Sequence, residues 1–195
     1  GPKNFISEFN YINQDNYYNA VIEIPSGTNE KWETSKDGKI IELRFINGKP
    51  KKIDYLSYPF NYGFIPRTLL SFEKGGDGDP LDILVYGQKD LKRGAVVSVK
   101  VLGMILIKDK GEIDNKVISV LKDSKFEKIK SLDDLKKNYP GILDITNIWF
   151  NNYKGTNIEI NGYLNKKNTV EFIKSSNQQY EKNNWNKKIW KKICF

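Results

Sequence analysis

Apolar and polar residues alternate over short stretches through much of the chain, the two-residue period of strands that bury one face. This pattern predicts strands near residues 20–25, 30–35, 39–46, 50–55, 81–86, 95–108, 116–121 and 157–163. Turn signals separate most of them: Asp37-Gly38, Asn47-Gly48, Lys92-Arg93-Gly94 and Asn161-Gly162. The longest apolar stretch, Val96 to Ile107, is interrupted by Lys100 and Gly103 and reads as a strand, not a membrane span. Later the period lengthens to that of helices. Ser131-Leu132-Asp133-Asp134 has the form of an N-terminal cap with Asp in the first turn. Pro140 to Asn152 places Ile142, Ile145, Trp149 and Phe150 on one side. A third helix is expected from Asn168 to about Lys182, burying Val170 and Ile173, with Tyr180 a further candidate. Many strands followed by two or three helices imply a mainly β, α+β fold: a small closed barrel with packed helices on its flanks.

At 195 residues, 38% of them hydrophobic and 29% charged, the chain fits one domain with a sizeable core. Gly1-Pro2 reads as the scar of a cleaved expression tag, residues 3–180 as the single domain, and 181–195 as a basic, aromatic tail. No Met follows the scar, so the chain starts where tag design placed it or inside a longer precursor. The expected location is the cytoplasm, with an organelle left open if a targeting segment was removed. Histidine is absent, which excludes Ser-His-Asp and Cys-His triads and His-based zinc sites. A single cysteine, Cys194, excludes an intrachain disulfide. The net charge of +8 invites a nucleic-acid reading. Much of that charge falls late, where Lys182, Lys187, Lys188, Lys191 and Lys192 sit among Trp185, Trp190 and Phe195. That tail suits a solvated helix end, a membrane-surface patch or a nucleic-acid contact.

The densest chemistry lies in Gly75-Gly76-Asp77-Gly78-Asp79-Pro80-Leu81-Asp82, which packs three carboxylates into six residues before an apolar strand. Glycines permit the tight turn and Pro80 stiffens its exit. By strand alternation Asp82 shares a face with Leu84 and Tyr86. Carboxylates this close repel one another unless cations lie between them. With oxygen ligands only, the cation is Mg²⁺, Mn²⁺ or Ca²⁺. A plain Asp/Gly turn is the competing interpretation. An EF-hand loop is excluded by the acidic spacing, by Asp82 where glycine is needed, and by Gln88 at the closing position.

The segment Asp77 to Val85 resembles the signature D-x-D-P-x-D-x-x-V of the soluble inorganic pyrophosphatases of family I. Flanking segments resemble the same family in the same order. They are Val21-Ile22-Glu23-Ile24-Pro25, Lys31-Trp32-Glu33, Arg44, Tyr58-Pro59-Phe60-Asn61-Tyr62-Gly63, then Asp109, Asp114 and Lys116, and finally Tyr153-Lys154. The resemblance runs from about Ala20 to about Tyr163 and implies an OB-like five-stranded barrel with the active site at one mouth. It also implies Mg²⁺-dependent hydrolysis of pyrophosphate to two phosphates, with several Mg²⁺ per site and Mn²⁺ as a substitute. Asp77, Asp82 and Asp114 would hold one metal, with Asp82 bridging to a second. Asp79 would orient the attacking water and accept its proton. Asp109 and Asp114 would take a further metal, and Glu33 another. Glu23 would orient lysines and metal waters, with Tyr58 in the same supporting role. Lys31, Arg44, Tyr153 and Lys154 would grip the leaving phosphate, with Lys116 and Tyr62 further ligands of substrate oxygens.

Read singly, these residues have plainer explanations. Arg44 suits a solvated strand face, Lys31 and Glu33 an ion pair, Asp109 and Asp114 a hairpin tip, and Tyr58 and Tyr62 packing aromatics. Their joint order carries the resemblance. Two departures stand out. Lys110 occupies a place where many family members have an acid, with Glu112 nearby. Asn47 to Asp54 is longer than in the shortest bacterial members and is expected to add a turn and a strand without catalytic meaning. The resemblance further implies a homo-oligomer, a hexamer in preference to a dimer. A nucleic-acid-binding barrel and a catalytically degenerate family member are the competing functions. An acidic mouth is the wrong lining for a nucleic-acid groove, so no nucleic-acid partner is expected.

Overall fold

The computed structural model describes residues 4–87, 90–155 and 157–193, with side chains throughout except at 185, 186 and 188–193. In chain order the strands are β1 (Tyr18–Ile24), β2 (Trp32–Thr34), β3 (Ile41–Leu43), β4 (Phe45–Ile46), β5 (Lys49–Pro50) and β6 (Asn61–Phe64). They continue with β7 (Asp82–Tyr86), β8 (Val96–Asp109), β9 (Glu112–Ile113), β10 (Lys116–Leu121) and β11 (Ile158–Asn165). The helices are α1 (Leu132–Asn138), α2 (Ile142–Asn152) and α3 (Lys166–Ile193).

Five strands close on themselves. β1 pairs with β6, β6 with β7, β7 in parallel with β10, β10 with β8, and β8 returns to β1. The long β8 reaches beyond this ring to pair with β9 and β11. Side-chain alternation sorts the apolar residues into two clusters. One joins Leu84, Tyr86, Ile118 and Val120 to α1 and α2 through Leu135, Leu143, Trp149 and Phe150. The other gathers Ala20, Ile22, Ile83, Val85 and Val117 with Ile173 of α3.

Most expected strands form, and the exceptions have local causes. The stretch 39–46 divides at Arg44, whose backbone turns away to pair with neighbouring loops instead of continuing the ladder. The strand expected at 50–55 shrinks to Lys49–Pro50 and an isolated bridge between Lys52 and Glu30; Pro50 has no N–H to extend it. β6 was not anticipated, because Asn and Gly are poor strand formers. Tertiary contact overrides that preference: a Cβ on Gly63 would lie 1.7 Å from the carbonyl oxygen of Val21. Only glycine lets β6 approach β1 so closely.

The helical stripes are offset from expectation. α2 buries Leu143, Thr146, Trp149 and Phe150, while Ile145 is 57% exposed. Thr146 hid the true stripe, because it fills a core position by bonding the Tyr86 hydroxyl and the Ile142 carbonyl. Ser131 does cap α1, accepting from the Asp134 amide. α3 starts two residues before Asn168 and runs on past Lys182 without a break. Thr169, Ile173 and Ser176 form its buried face, with Val170 and Tyr180 only partly covered. Of the tail, Lys182 and Lys187 are exposed; the side chains of Trp185, Lys188, Trp190, Lys191 and Lys192, and all of Phe195, lie outside the described residues. Among the described residues no helix is long and apolar enough to cross a membrane.

Gly63→Ala is expected to cost at least about 3 kcal/mol, since the methyl group would meet backbone rather than a movable side chain. Urea unfolding of the variant beside the wild type measures it.

Candidate active site

The acidic turn is held by its own backbone and by its neighbours. Leu70 donates its amide to the Asp79 carbonyl at 2.8 Å and accepts from Gly78 at 2.8 Å. The Asp79 amide donates to Asp77 Oδ1 at 3.0 Å, and Ile113 donates to the Gly75 carbonyl at 2.9 Å. That last bond ties the turn to the hairpin preceding Asp114. Burial raises the affinity of Asp77 for a proton; the Asp79 amide opposes this, and the charges of Asp82, Asp79 and Asp114 add to it. The sequence-predicted carboxylates therefore lie close enough to feel one another.

Lys116 occupies the centre. The parallel register of β7 and β10 sets it beside Asp82, and its ammonium lies 2.5 Å from Asp82 Oδ2 and 2.5 Å from Asp114 Oδ1. Its side chain is 2% exposed. Burial alone would drive off its proton, but Asp114 and Asp82 outweigh that and hold the ammonium well above the ordinary lysine range. Conversely, burial opposes the charge on Asp114, yet Lys116, Lys154 and Lys31 keep its carboxyl below the usual carboxylate range. Tyr62 donates its hydroxyl to Asp82 Oδ2 at 2.7 Å. Burial, with the charges of Asp82 and Asp114, holds that phenol well above its normal value.

The remaining cations line the same mouth. Lys154 pairs with Asp109 at 2.5 Å and reaches Asp114 at 3.7 Å. Glu33 meets Arg44 Nη1 at 3.0 Å and Lys31 at 3.5 Å. Burial of Glu33 is outweighed by Lys31 and Arg44, which lower its proton affinity. Glu23 is 8% exposed and accepts from the Thr34 amide at 2.6 Å. Burial pushes its carboxyl up to about 7, against the Thr34 contact and with help from the Asp82 charge. Glu112 faces Asp109 across the β8–β9 hairpin, while Lys110 sits exposed at its tip.

Aromatic rings form the floor. Tyr58 lies 5.4 Å from Tyr62 and 4.6 Å from Trp149, which stacks on Tyr153 at 4.5 Å. Tyr58 and Tyr62 are 1% and 5% exposed, more deeply buried than packing aromatics on a half-open face. Burial accordingly raises the Tyr58 phenol well above its normal value. This chain of rings links the Tyr-Pro-x-Asn-Tyr segment to the Tyr153-Lys154 pair across β6 and α2.

Four residues around this mouth were not singled out for it by the sequence. Lys36, on the loop after β2, forms an ion pair with Asp79. Arg93 packs its guanidinium 3.6 Å from the Trp32 ring centre and donates to the Glu23 carbonyl, joining β1 to β2, the strand of Trp32 and Glu33. Trp149 carries the ring stack, and its 3.6-residue placement in α2 was its only signal. Lys51 lies in the segment thought to have no catalytic meaning. Burial lowers its proton affinity, and so do Arg44, Lys31 and Lys154 around it.

The donor chemistry fits a hard divalent cation, since carboxylate oxygens are the ligands such ions prefer. The crowding felt at Asp77 is the electrostatic condition for one. As arranged, the carboxylates spend their charge on lysines: Asp82 and Asp114 on Lys116, Asp79 on Lys36, Asp109 on Lys154. Among the described residues no three acidic groups converge on one point.

A family model described as inorganic pyrophosphatase matches residues 20–181. The mitochondrial inorganic pyrophosphatase 2 of Mus musculus is 34% identical over 188 residues, covering 86% of this chain and 57% of that protein. The inorganic pyrophosphatase of Nanoarchaeum equitans is 34% identical over 84% of this chain and 97% of its own length. A crystal structure of the type I inorganic pyrophosphatase from P. falciparum superposes with a TM-score of 0.89 at 30% identity, over 97% of this chain and 66% of that one. The chain thus spans little more than half of the mouse protein and nearly all of the archaeal one.

Glu23 gives a pH signature. Folded, it holds its proton up to about 7; unfolded, only to its ordinary 4.5. Between those values the folded state binds more protons, so this contribution is complete below 4.5 and is lost as pH rises through 7. In chelator-treated protein, wild type should lose about 1–3 kcal/mol relative to Glu23→Gln between pH 4.5 and 8. Parallel denaturation series read that difference, and curves that stay parallel would refute it.

Proposed function

The chain belongs to the inorganic pyrophosphatase family, and from that premise we propose that it hydrolyses pyrophosphate to two phosphates in a Mg²⁺-dependent reaction. The observation that carries this reading is the paired mouth: carboxylates on one side, with Lys31, Arg44, Lys116 and Lys154 interleaved. Pyrophosphate needs both, cations for its oxygens and carboxylates for the metals that accompany it. Asp77, Asp82 and Asp114 would hold one ion, with Asp82 serving a second, and Asp109, Asp114 and Glu33 would serve those arriving with substrate. Bound there, divalent metal supplies charge neutralisation and an acidified water.

The chain's own groups do the rest. Asp79 orients the water and takes its proton as oxygen attacks phosphorus, once Lys36 has left it; that lysine side chain is 83% exposed and free to swing. The bridging P–O bond breaks and its electron pair departs with the leaving phosphate. Lys31 and Arg44, with Tyr153 and Lys154, hold that phosphate, Arg44 in a fork. Lys116 keeps a fixed positive charge beside Asp82 and Asp114, and Tyr62 positions Asp82. Glu23 and Tyr58 support the strand and the ring stack behind them. An acidic lining of this density argues against a nucleic-acid groove.

Assembly and location belong to the same reading. Ile145 and Ile148 leave α2 with an apolar outer face, and Leu56, whose carbonyl accepts from the Trp149 indole, is exposed as well, which suits a homo-oligomer. Sedimentation separates the expected hexamer from a dimer. A chain with one cysteine suits the reducing cytoplasm.

Phosphate release from pyrophosphate with excess Mg²⁺ should be fast and should stop on adding chelator. Asp79→Asn is expected to lower kcat by about 10²–10⁴ while metal binding persists. Arg44→Ala should raise KM about tenfold, or about 1.4 kcal/mol. Near-normal turnover by Asp79→Asn would remove it from the base role.

A further inference from the structure

Three cationic residues are joined by a closed circuit of backbone hydrogen bonds. Arg44 donates its amide to the Lys31 carbonyl at 2.9 Å, Lys51 donates to Arg44 at 2.8 Å, and Lys31 donates to Lys51 at 2.9 Å. The break between β3 and β4 at Arg44 and the early end of β5 at Pro50 leave these amides and carbonyls free to bond one another. The circuit sets the Cα atoms of Lys31, Arg44 and Lys51 at one level on three adjacent segments.

Their side chains are treated unequally. Lys31 and Arg44 share Glu33, and Lys154 has Asp109 and Asp114. Among the described residues Lys51 has no carboxylate within ion-pair distance of its ammonium. It is partly buried, and Arg44, Lys31 and Lys154 press on its charge, with Glu33 the one relieving carboxylate. A lysine held by its backbone among like charges, without a partner, is the arrangement an anion completes.

We propose that Lys51 is a further phosphate ligand of this site, its ammonium contacting an oxygen of the phosphate held by Lys31 and Arg44. The anion it recognises is inorganic phosphate or the matching end of a phosphoric anhydride. The proposal rests on the pyrophosphatase reading for the identity of the substrate, but not for the contact itself. It assigns a use to the segment Asn47 to Asp54, whose short β4–β5 hairpin brings Lys51 back beside Arg44.

The test compares Lys51→Met, Lys51→Arg and Lys52→Met. Lys52 is the adjacent exposed lysine and controls for the loss of one charge. Inorganic phosphate binding to Mg²⁺-loaded protein is followed by calorimetry, and pyrophosphate hydrolysis by phosphate release. Lys51→Met should weaken phosphate binding about five- to tenfold and raise KM for pyrophosphate by a similar factor. Lys51→Arg should recover most of both, and Lys52→Met should stay within twofold of wild type. Equal phosphate affinity in wild type and Lys51→Met overturns the proposal, as does an equal loss in Lys52→Met, which would mean general attraction only. The two readings fail separately. A wild type that binds phosphate through Lys51 yet leaves pyrophosphate intact keeps this contact and removes the activity. One that hydrolyses pyrophosphate with Lys51 dispensable does the reverse.

Discussion

The structure turns on one buried ammonium. Lys116 stands between Asp82 and Asp114 with 2% of its side chain exposed and forms an ion pair with each. Breaking such a buried pair strands a charge, which costs far more than a surface ion pair ever contributes. The barrel supplies the condition for this arrangement. The parallel pairing of β7 and β10, alone among antiparallel neighbours in the five-strand ring, sets Lys116 and Asp82 side by side. Asp114, two residues earlier, comes with the entry to β10. The acidic turn and the β8–β9 hairpin are then drawn together by the bond from Ile113 to Gly75.

A second constraint lies behind the first. Gly63 admits the backbone of β6 against β1, and that approach places Tyr62 where its hydroxyl meets Asp82. From Tyr62 the rings of Tyr58, Trp149 and Tyr153 pass to Lys154, so α2 helps set the far wall of the site. Arg93 does the corresponding service on the near side, clamping Trp32 and the backbone of Glu23. The candidate site's side chains thus stand on three separate supports. None of those supports is adjacent in sequence to the acid cluster.

How much of this was legible follows from what kind of signal each residue leaves. The candidate site residues from Glu23 to Lys154 were singled out because their order and spacing match the family's, and the strands β1, β7, β8 and β10 were legible because apolar residues dominate them. β6 was hidden because Asn61, Tyr62 and Gly63 have no strand-like pattern of their own; contact with β1 and β7 makes them a strand. Ile145 was misplaced because Thr146, a polar residue, occupies the core position of α2 and satisfies itself internally. Lys36, Arg93 and Lys51 left no trace because a lone basic residue in a lysine-rich loop looks the same whether it faces solvent or the interior of a site. Partners distant in sequence decide that, and spacing does not record them.

Three of the lysines in the mouth are not equivalent, and the difference bears on how the site works. Lys36 is mostly exposed and reaches Asp79 from a loop, and Lys154 follows the end of α2 with about a quarter of its side chain open. Each can leave its carboxylate for water at little desolvation cost. Lys116 cannot: it is enclosed, and the charges of Asp114 and Asp82 offset the burial that opposes its own. On the proposed reading, an entering cation would displace Lys154 from Asp109 and the attacking water would displace Lys36 from Asp79, whereas Asp82 and Asp114 would be shared with Lys116. Each carboxylate has a second oxygen to offer, which is how one residue can serve a fixed lysine and an incoming ion together. On that reading the interior lysine would preserve the geometry of the site between occupancies, while Lys36 and Lys154 would hold Asp79 and Asp109 in place until water and metal arrive.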